Sequence, residues 1–142
     1  MEKVISIVGA GGKTTLVHKL AREYHRRGKG VLVTTTTHMY VEADTDLSCD
    51  FFALRDKIIK DGYCMAGQKI SEQSKPKMCG PPYDLLDRLI KDMPQALDYV
   101  IIEADGAKHH SLKYPAADEP VIYPLTTDVI IVLGTWEKGK LC

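Results

Sequence analysis

Four stretches of this chain are apolar and free of internal charge: Val4-Ile5-Ser6-Ile7-Val8, Val31-Leu32-Val33-Thr34-Thr35, Tyr99-Val100-Ile101-Ile102, and Val129-Ile130-Ile131-Val132-Leu133 behind Asp128. Continuous rather than alternating runs of this length predict strands buried on both faces, as a parallel sheet requires. Between them the period changes. Leu16, Val17, Leu20, Ala21 and Tyr24 fall on one face of a helix over 13–27, which Gly28 and Gly30 stop. Phe51, Leu54, Ile58 and Ile59 mark a second helix over 50–60, ended by Gly62. Leu85, Leu86, Leu89 and Ile90 mark a third over 82–91, closed by Pro94. Residues 63–70, broken by Gly67, read as a small hairpin or an irregular extended segment, and 75–82 as a Pro/Gly-rich loop. Strands alternating with helices predict a layered α/β fold, and a short strand–helix–strand unit at the start predicts parallel strands with a right-handed crossover.

The first strand runs directly into Gly9-Ala10-Gly11-Gly12-Lys13-Thr14-Thr15, and the first helix starts there. A buried strand, a glycine loop and Lys-Thr at a helix start make a phosphate cradle: backbone amides converge, and the helix dipole adds positive charge. Lys13 is placed to reach terminal phosphates and the Thr14 hydroxyl to bind Mg²⁺. An ordinary glycine turn with a solvated lysine would not need the flanking strand and helix. The spacing is two residues shorter than the common P-loop pattern. This short form, Gly-x-x-Gly-Lys-Thr-Thr, resembles the ATP loop of the Mur peptide ligases. The motif makes the expected architecture a P-loop NTPase-like three-layer fold with a mainly parallel sheet. It also makes residues 1–142 a single nucleotide-binding domain.

Two further segments fall at the carboxyl ends of predicted strands, where open α/β sheets bind ligands. Glu103-Ala104-Asp105-Gly106-Ala107-Lys108 follows the third strand. Glu103 and Asp105 are candidate Mg²⁺ ligands beside Thr14. Gly106 would admit a γ-phosphate to the backbone, and Lys108 with Lys13 and Asp105 would act on developing charge. Thr34-Thr35-Thr36-Thr37-His38 follows the second strand. Thr35, Thr36 and Thr37 are candidate contacts for phosphate or metal-bound water; strand propensity and turn hydrogen bonds are the plainer account of the same residues. His38 reads either as a proton shuttle or substrate contact or as a structural residue. Adjacent His109 and His110 read as surface residues, and Asp118-Glu119-Pro120 as a solvated loop.

Composition narrows the partners. The chain has 142 residues, 44% apolar and 27% charged, with a formal net charge of zero. That size suits one domain burying roughly 70% of its unfolded surface. No basic tract suggests nucleic acid, and no apolar run approaches a membrane span. The N-terminus enters a strand at once, so no signal peptide is expected. Cys49, Cys64, Cys79 and Cys142 are widely spaced, which argues against a zinc ribbon or redox motif and fits a reducing cytoplasm.

Taken together, Gly9–Leu16, Thr34–Met39, Glu103–Lys108 and Pro115-Ala116-Ala117-Asp118-Glu119-Pro120 resemble the YqeC family, named as accessory or cofactor-biosynthesis proteins of selenium-dependent molybdenum hydroxylases. The resemblance covers essentially the whole chain. It implies a cytoplasmic, ATP- or GTP-dependent, Mg²⁺-requiring maturation factor whose partner is such a hydroxylase or its cofactor. It also implies a short or truncated member, since the family is usually longer, and a truncated sheet would favour homo-oligomers through an exposed edge. Two other readings stay open. One is a Mur-like ligase that activates a carboxylate as an acyl phosphate; the other is a non-catalytic, nucleotide-gated scaffold or cofactor chaperone.

Overall fold

The first and third apolar runs pair side by side, and the second joins them from the far side. In the computed structural model, which describes residues 1–70, 76–104 and 122–133, β1 (Lys3–Gly9) leads through α1 (Lys13–Arg26) to β2 (Val31–Thr35). Then come β3 (His38–Tyr40), β4 (Thr45–Asp46), α2 (Phe51–Asp61), β5 (Tyr63–Ala66), β6 (Gln68–Lys69) and β7 (Lys77–Cys79). The chain continues through α3 (Tyr83–Asp92) and β8 (Tyr99–Glu103) to β9 (Asp128–Val132). Six strands form one sheet in the order β4-β5-β2-β8-β1-β9, with parallel ladders throughout. β1 and β2 are parallel as expected but do not touch. β8 lies between them, so Ile101 pairs with both Ile5 and Val33.

Period-2 alternation sorts these side chains onto two faces. Ile5, Ile7, Val31, Val33 and Ile101 pack against Val17 and Ala21 of α1. Val4, Leu32, Val100 and Ile102 pack against Leu54 and Ile58 of α2 and Leu86 and Leu89 of α3. The sheet is thus covered by helices on both sides. Each fully buried aliphatic side chain contributes about 1.5–3 kcal/mol, so β1, β8 and β2 are the strands hardest to disturb. α2 begins on Asp50, whose carboxylate accepts the Ala53 amide at 2.9 Å, and ends on Gly62 in the left-handed conformation, as its sequence signals predict.

Three expectations need correcting. Residues 63–70 are not one hairpin: Tyr63–Ala66 joins the main sheet beside β2, while Gln68–Lys69 belongs to a second sheet. Residues 75–82 are not wholly loop, because Lys77–Cys79 is the central strand of that second sheet, which has the antiparallel order β3-β7-β6. Met39 and Met78 sit opposite each other there and plug it into the α1-side core. The last apolar run is buried on one face only. Ile130 and Val132 turn toward the α1-side core, whereas Val129, Ile131 and Leu133 are 50%, 64% and 74% exposed. β9 is an edge strand and has no neighbour beyond it among the described residues. Within those residues, no helix is long and apolar enough to cross a membrane.

Candidate functional site

The carboxyl ends of β1, β8 and β2 bring the glycine loop, Glu103 and the threonine run to one edge. Gly9 has φ 117° and lies so close to β9 that a Cβ would stand 2.1 Å from the Val132 carbonyl oxygen. The Ala10 amide donates to that same oxygen at 2.9 Å. The first glycine of the motif therefore serves the packing of the loop on β9, and the Ala10 amide is already used. Gly12, at φ 96°, is the residue from which α1 starts, and no side chain caps the helix there. Among the described residues, the amides of Gly11, Gly12, Lys13, Thr14 and Thr15 have no backbone acceptor. A Cβ at Gly11 would meet nothing within 4 Å. The free part of the cradle is thus Gly11–Thr15, an uncapped helix start facing open space.

Lys13 and Thr14 both turn toward the end of β8. The Lys13 ammonium donates to the Ala104 carbonyl at 3.1 Å. The Thr14 hydroxyl donates to Glu103 Oε1 at 2.7 Å. Glu103 is 8% exposed and has no ion-pair partner among the described residues. A buried carboxylate held by one hydroxyl keeps unused acceptor capacity, and a cation is the natural way to fill it. Neighbouring oxygens in an Mg²⁺ shell lie about 2.9 Å apart, so the Thr14 and Glu103 oxygens suit one edge of such a shell. No group of three or more His, Cys, Asp or Glu side chains among the described residues could hold a metal ion. The pair therefore suits a cation that keeps water and phosphate ligands, as Mg²⁺ does.

The threonine run behaves unevenly. Thr35 is fully buried, its hydroxyl donates to the Glu103 carbonyl at 2.7 Å, and its oxygen accepts the Thr37 amide at 2.9 Å. The Thr36 amide donates to the same carbonyl at 3.1 Å. Thr34 is buried and donates to the Ala66 carbonyl at 2.7 Å. Thr35 thus orients Glu103 and the 35–37 turn and keeps no donor for a ligand, while Thr36 and Thr37 are only half-buried at the site edge. Gly80 packs on this turn so closely that a Cβ would lie 2.1 Å from the Thr35 carbonyl oxygen. Asp105, Gly106, Lys108, His109, His110 and Asp118–Pro120 lie outside the described residues.

His38 is exposed at the start of β3. It lines a cavity of about 230 Å³ together with Thr14, Glu103, Tyr40, Glu42 and Lys77. The last three were not singled out in the sequence. Lys77 sits in a stretch read as loop, and no local pattern announced that β7 would bring it to the site. A larger groove of about 710 Å³ follows α1 past Thr15, His18 and Arg22, and Glu42 borders both spaces.

A family model described as YqeC protein matches residues 5–142. The chain belongs to the YqeC family. It is 34% identical over 144 residues to the Escherichia coli (strain K12) protein named Uncharacterized protein YqeC, an alignment covering 96% of this chain and 53% of that relative. This YqeC chain therefore spans about half the length of the curated relative it matches. No solved structure matches it.

Proposed function

We propose that this YqeC domain binds a nucleoside triphosphate, ATP or GTP, with Mg²⁺ and hydrolyses it or transfers its terminal phosphoryl group. The observation that carries the reading is the 2.7 Å contact between Thr14 and Glu103 at the foot of an uncapped helix whose first amides are free. A phosphate chain would lie on the Gly11–Thr15 amides, which supply directed donors and the positive end of the α1 dipole. Lys13 would exchange the neutral Ala104 carbonyl for a phosphate oxygen, trading a weak acceptor for a charged one. Thr14 and Glu103 would hold Mg²⁺, which when bound neutralises phosphate charge. Thr35, bonded to the Glu103 carbonyl, keeps that strand end fixed. In the cell, this nucleotide cycle would serve maturation of a selenium-dependent molybdenum hydroxylase.

The test is titration of fluorescent ATP and GTP analogues with and without Mg²⁺. Lys13→Ala removes a charge-assisted contact worth about 1.5–3 kcal/mol, so binding weakens by about ten- to a hundredfold. Glu103→Gln keeps the shape and removes the charge; it abolishes the Mg²⁺ dependence of binding while the fold persists. Equal affinity in wild type and Lys13→Ala, both folded by circular dichroism, refutes the proposal.

A further inference from the structure

We propose that the cavity beside the Thr14–Glu103 contact is an acceptor pocket for a small hydroxy acid, with Lys77 binding its carboxylate and His38 taking the proton from its hydroxyl. This deepens the nucleotide reading and rests on it. The pocket has two unlike walls. One is the Thr14–Glu103 edge, where the terminal phosphate would stand. The other is the outer face of the small sheet. Across the β3–β7 ladder His38 faces Cys79, and Tyr40 faces Lys77. Alternation puts these four on one face and sends Met39 and Met78 into the core on the other.

On that exposed face a histidine and a lysine line the same cavity as Thr14 and Glu103. Among the described residues Lys77 has no ion-pair partner, and its ammonium stands 5.4 Å from the centre of the Tyr40 ring. His38 is exposed at the start of β3 and lines the same cavity. Glu42 also lines the cavity, but its carboxylate lies 3.8 Å from His18 Nε2, which leaves the Lys77 ammonium as the group on this wall that attracts an anion. The volume of about 230 Å³ falls below the range of about 300–1,000 Å³ that houses drug-sized ligands. The occupant is therefore small, yet larger than water.

In the step this arrangement supports, the acceptor hydroxyl oxygen forms a bond to the γ-phosphorus. The bond from that phosphorus to the β,γ-bridging oxygen breaks, and the nucleoside diphosphate leaves with the electron pair. The hydroxyl proton passes to the His38 imidazole. The products are a phosphorylated acid and a diphosphate, with no change of oxidation state.

The experiment measures nucleotide affinity first, then diphosphate release from Mg²⁺–ATP and Mg²⁺–GTP with glycolate, lactate, glycerate or malate added to the whole chain. At least one acid raises release about tenfold or more, and a phosphorylated acid is detected by mass spectrometry. Lys77→Ala raises the KM for that acid about tenfold with little change in kcat, and Lys77→Arg restores it. His38→Ala lowers the acid-dependent kcat about a hundredfold, in the range of a lost general base, with KM little changed. Nucleotide binding with no acid stimulating release overturns this inference and spares the nucleotide reading. Stimulation that survives both Lys77→Ala and His38→Ala overturns it too. Absence of nucleotide binding overturns both.

Discussion

The two sheets of this molecule carry different halves of the proposed chemistry on very different foundations. In the main sheet, β1, β8 and β2 are buried on both faces, and the glycine loop, Glu103 and the threonine turn extend from their ends. The small sheet has two- and three-residue strands and is anchored mainly through Met39 and Met78. A phosphate cradle gains from rigidity, because its donors must stand in place before charge develops. A pocket that selects a particular partner can rest on a smaller, more adjustable unit, and methionine is the apolar side chain that adapts most easily.

The contrast can be broken most forcefully at Gly9. A methyl group there meets the Val132 carbonyl at 2.1 Å in a backbone conformation that side chains rarely adopt. Gly9→Ala is expected to cost more than about 3 kcal/mol, read as a lower thermal midpoint and loss of the Mg²⁺–nucleotide response together. Next comes Met78→Ala, expected to cost about 2 kcal/mol, the low end for a core truncation because the small sheet can collapse around the gap. Its sharper reading is amide exchange: amides of β3 and β7 lose protection while those of β1, β8 and β2 keep theirs. Equal loss in both sheets would mean they form one cooperative unit.

Alkali probes the main sheet at β5. Burial pushes the Cys64 thiol on β5 up to about 12, against about 8.5 in an unfolded chain. The neutral thiol is the favoured folded form, so its contribution is complete below about pH 8.5 and is lost as pH rises toward 12. The unfolding free energy from denaturant titration should fall by about 1–2 kcal/mol between pH 8 and pH 10, and Cys64→Ala should flatten that slope. Cys49 and Cys79, both partly exposed, should react with a thiol reagent long before Cys64. The smallest effect belongs to the rim: Lys3 and Asp128 pair at 3.1 Å with side chains 49% and 41% exposed, and Lys3→Ala should cost less than about 0.5 kcal/mol in the same denaturation assay.

Much of this was readable along the chain. All three helices begin and end within about a residue of their expected limits, because apolar spacing, Asp50 and Gly62 are local signals. The approach of Glu103 to Thr14 followed from the rule that strand ends share an edge. The small sheet was not readable, since strands of two or three residues are too short to display a period and β3 pairs with a strand far along the chain. The close packing of Gly9 on β9 was not readable either. A glycine needed for a phosphate and one needed for a neighbouring strand look identical until that strand is in place.

By itself the sequence determined the three helices and the four long strands, that those strands are parallel, and that a helix start rich in glycine and threonine follows the first strand. Each of these depends on residues within a few positions of one another. Tertiary structure alone decided that β8 separates β1 from β2, that the Thr35 hydroxyl holds the Glu103 carbonyl, and that Lys77 and His38 line one cavity with Thr14. These are contacts between segments from about 24 to about 96 residues apart, fixed by which apolar faces could be buried together, and no local period records that choice.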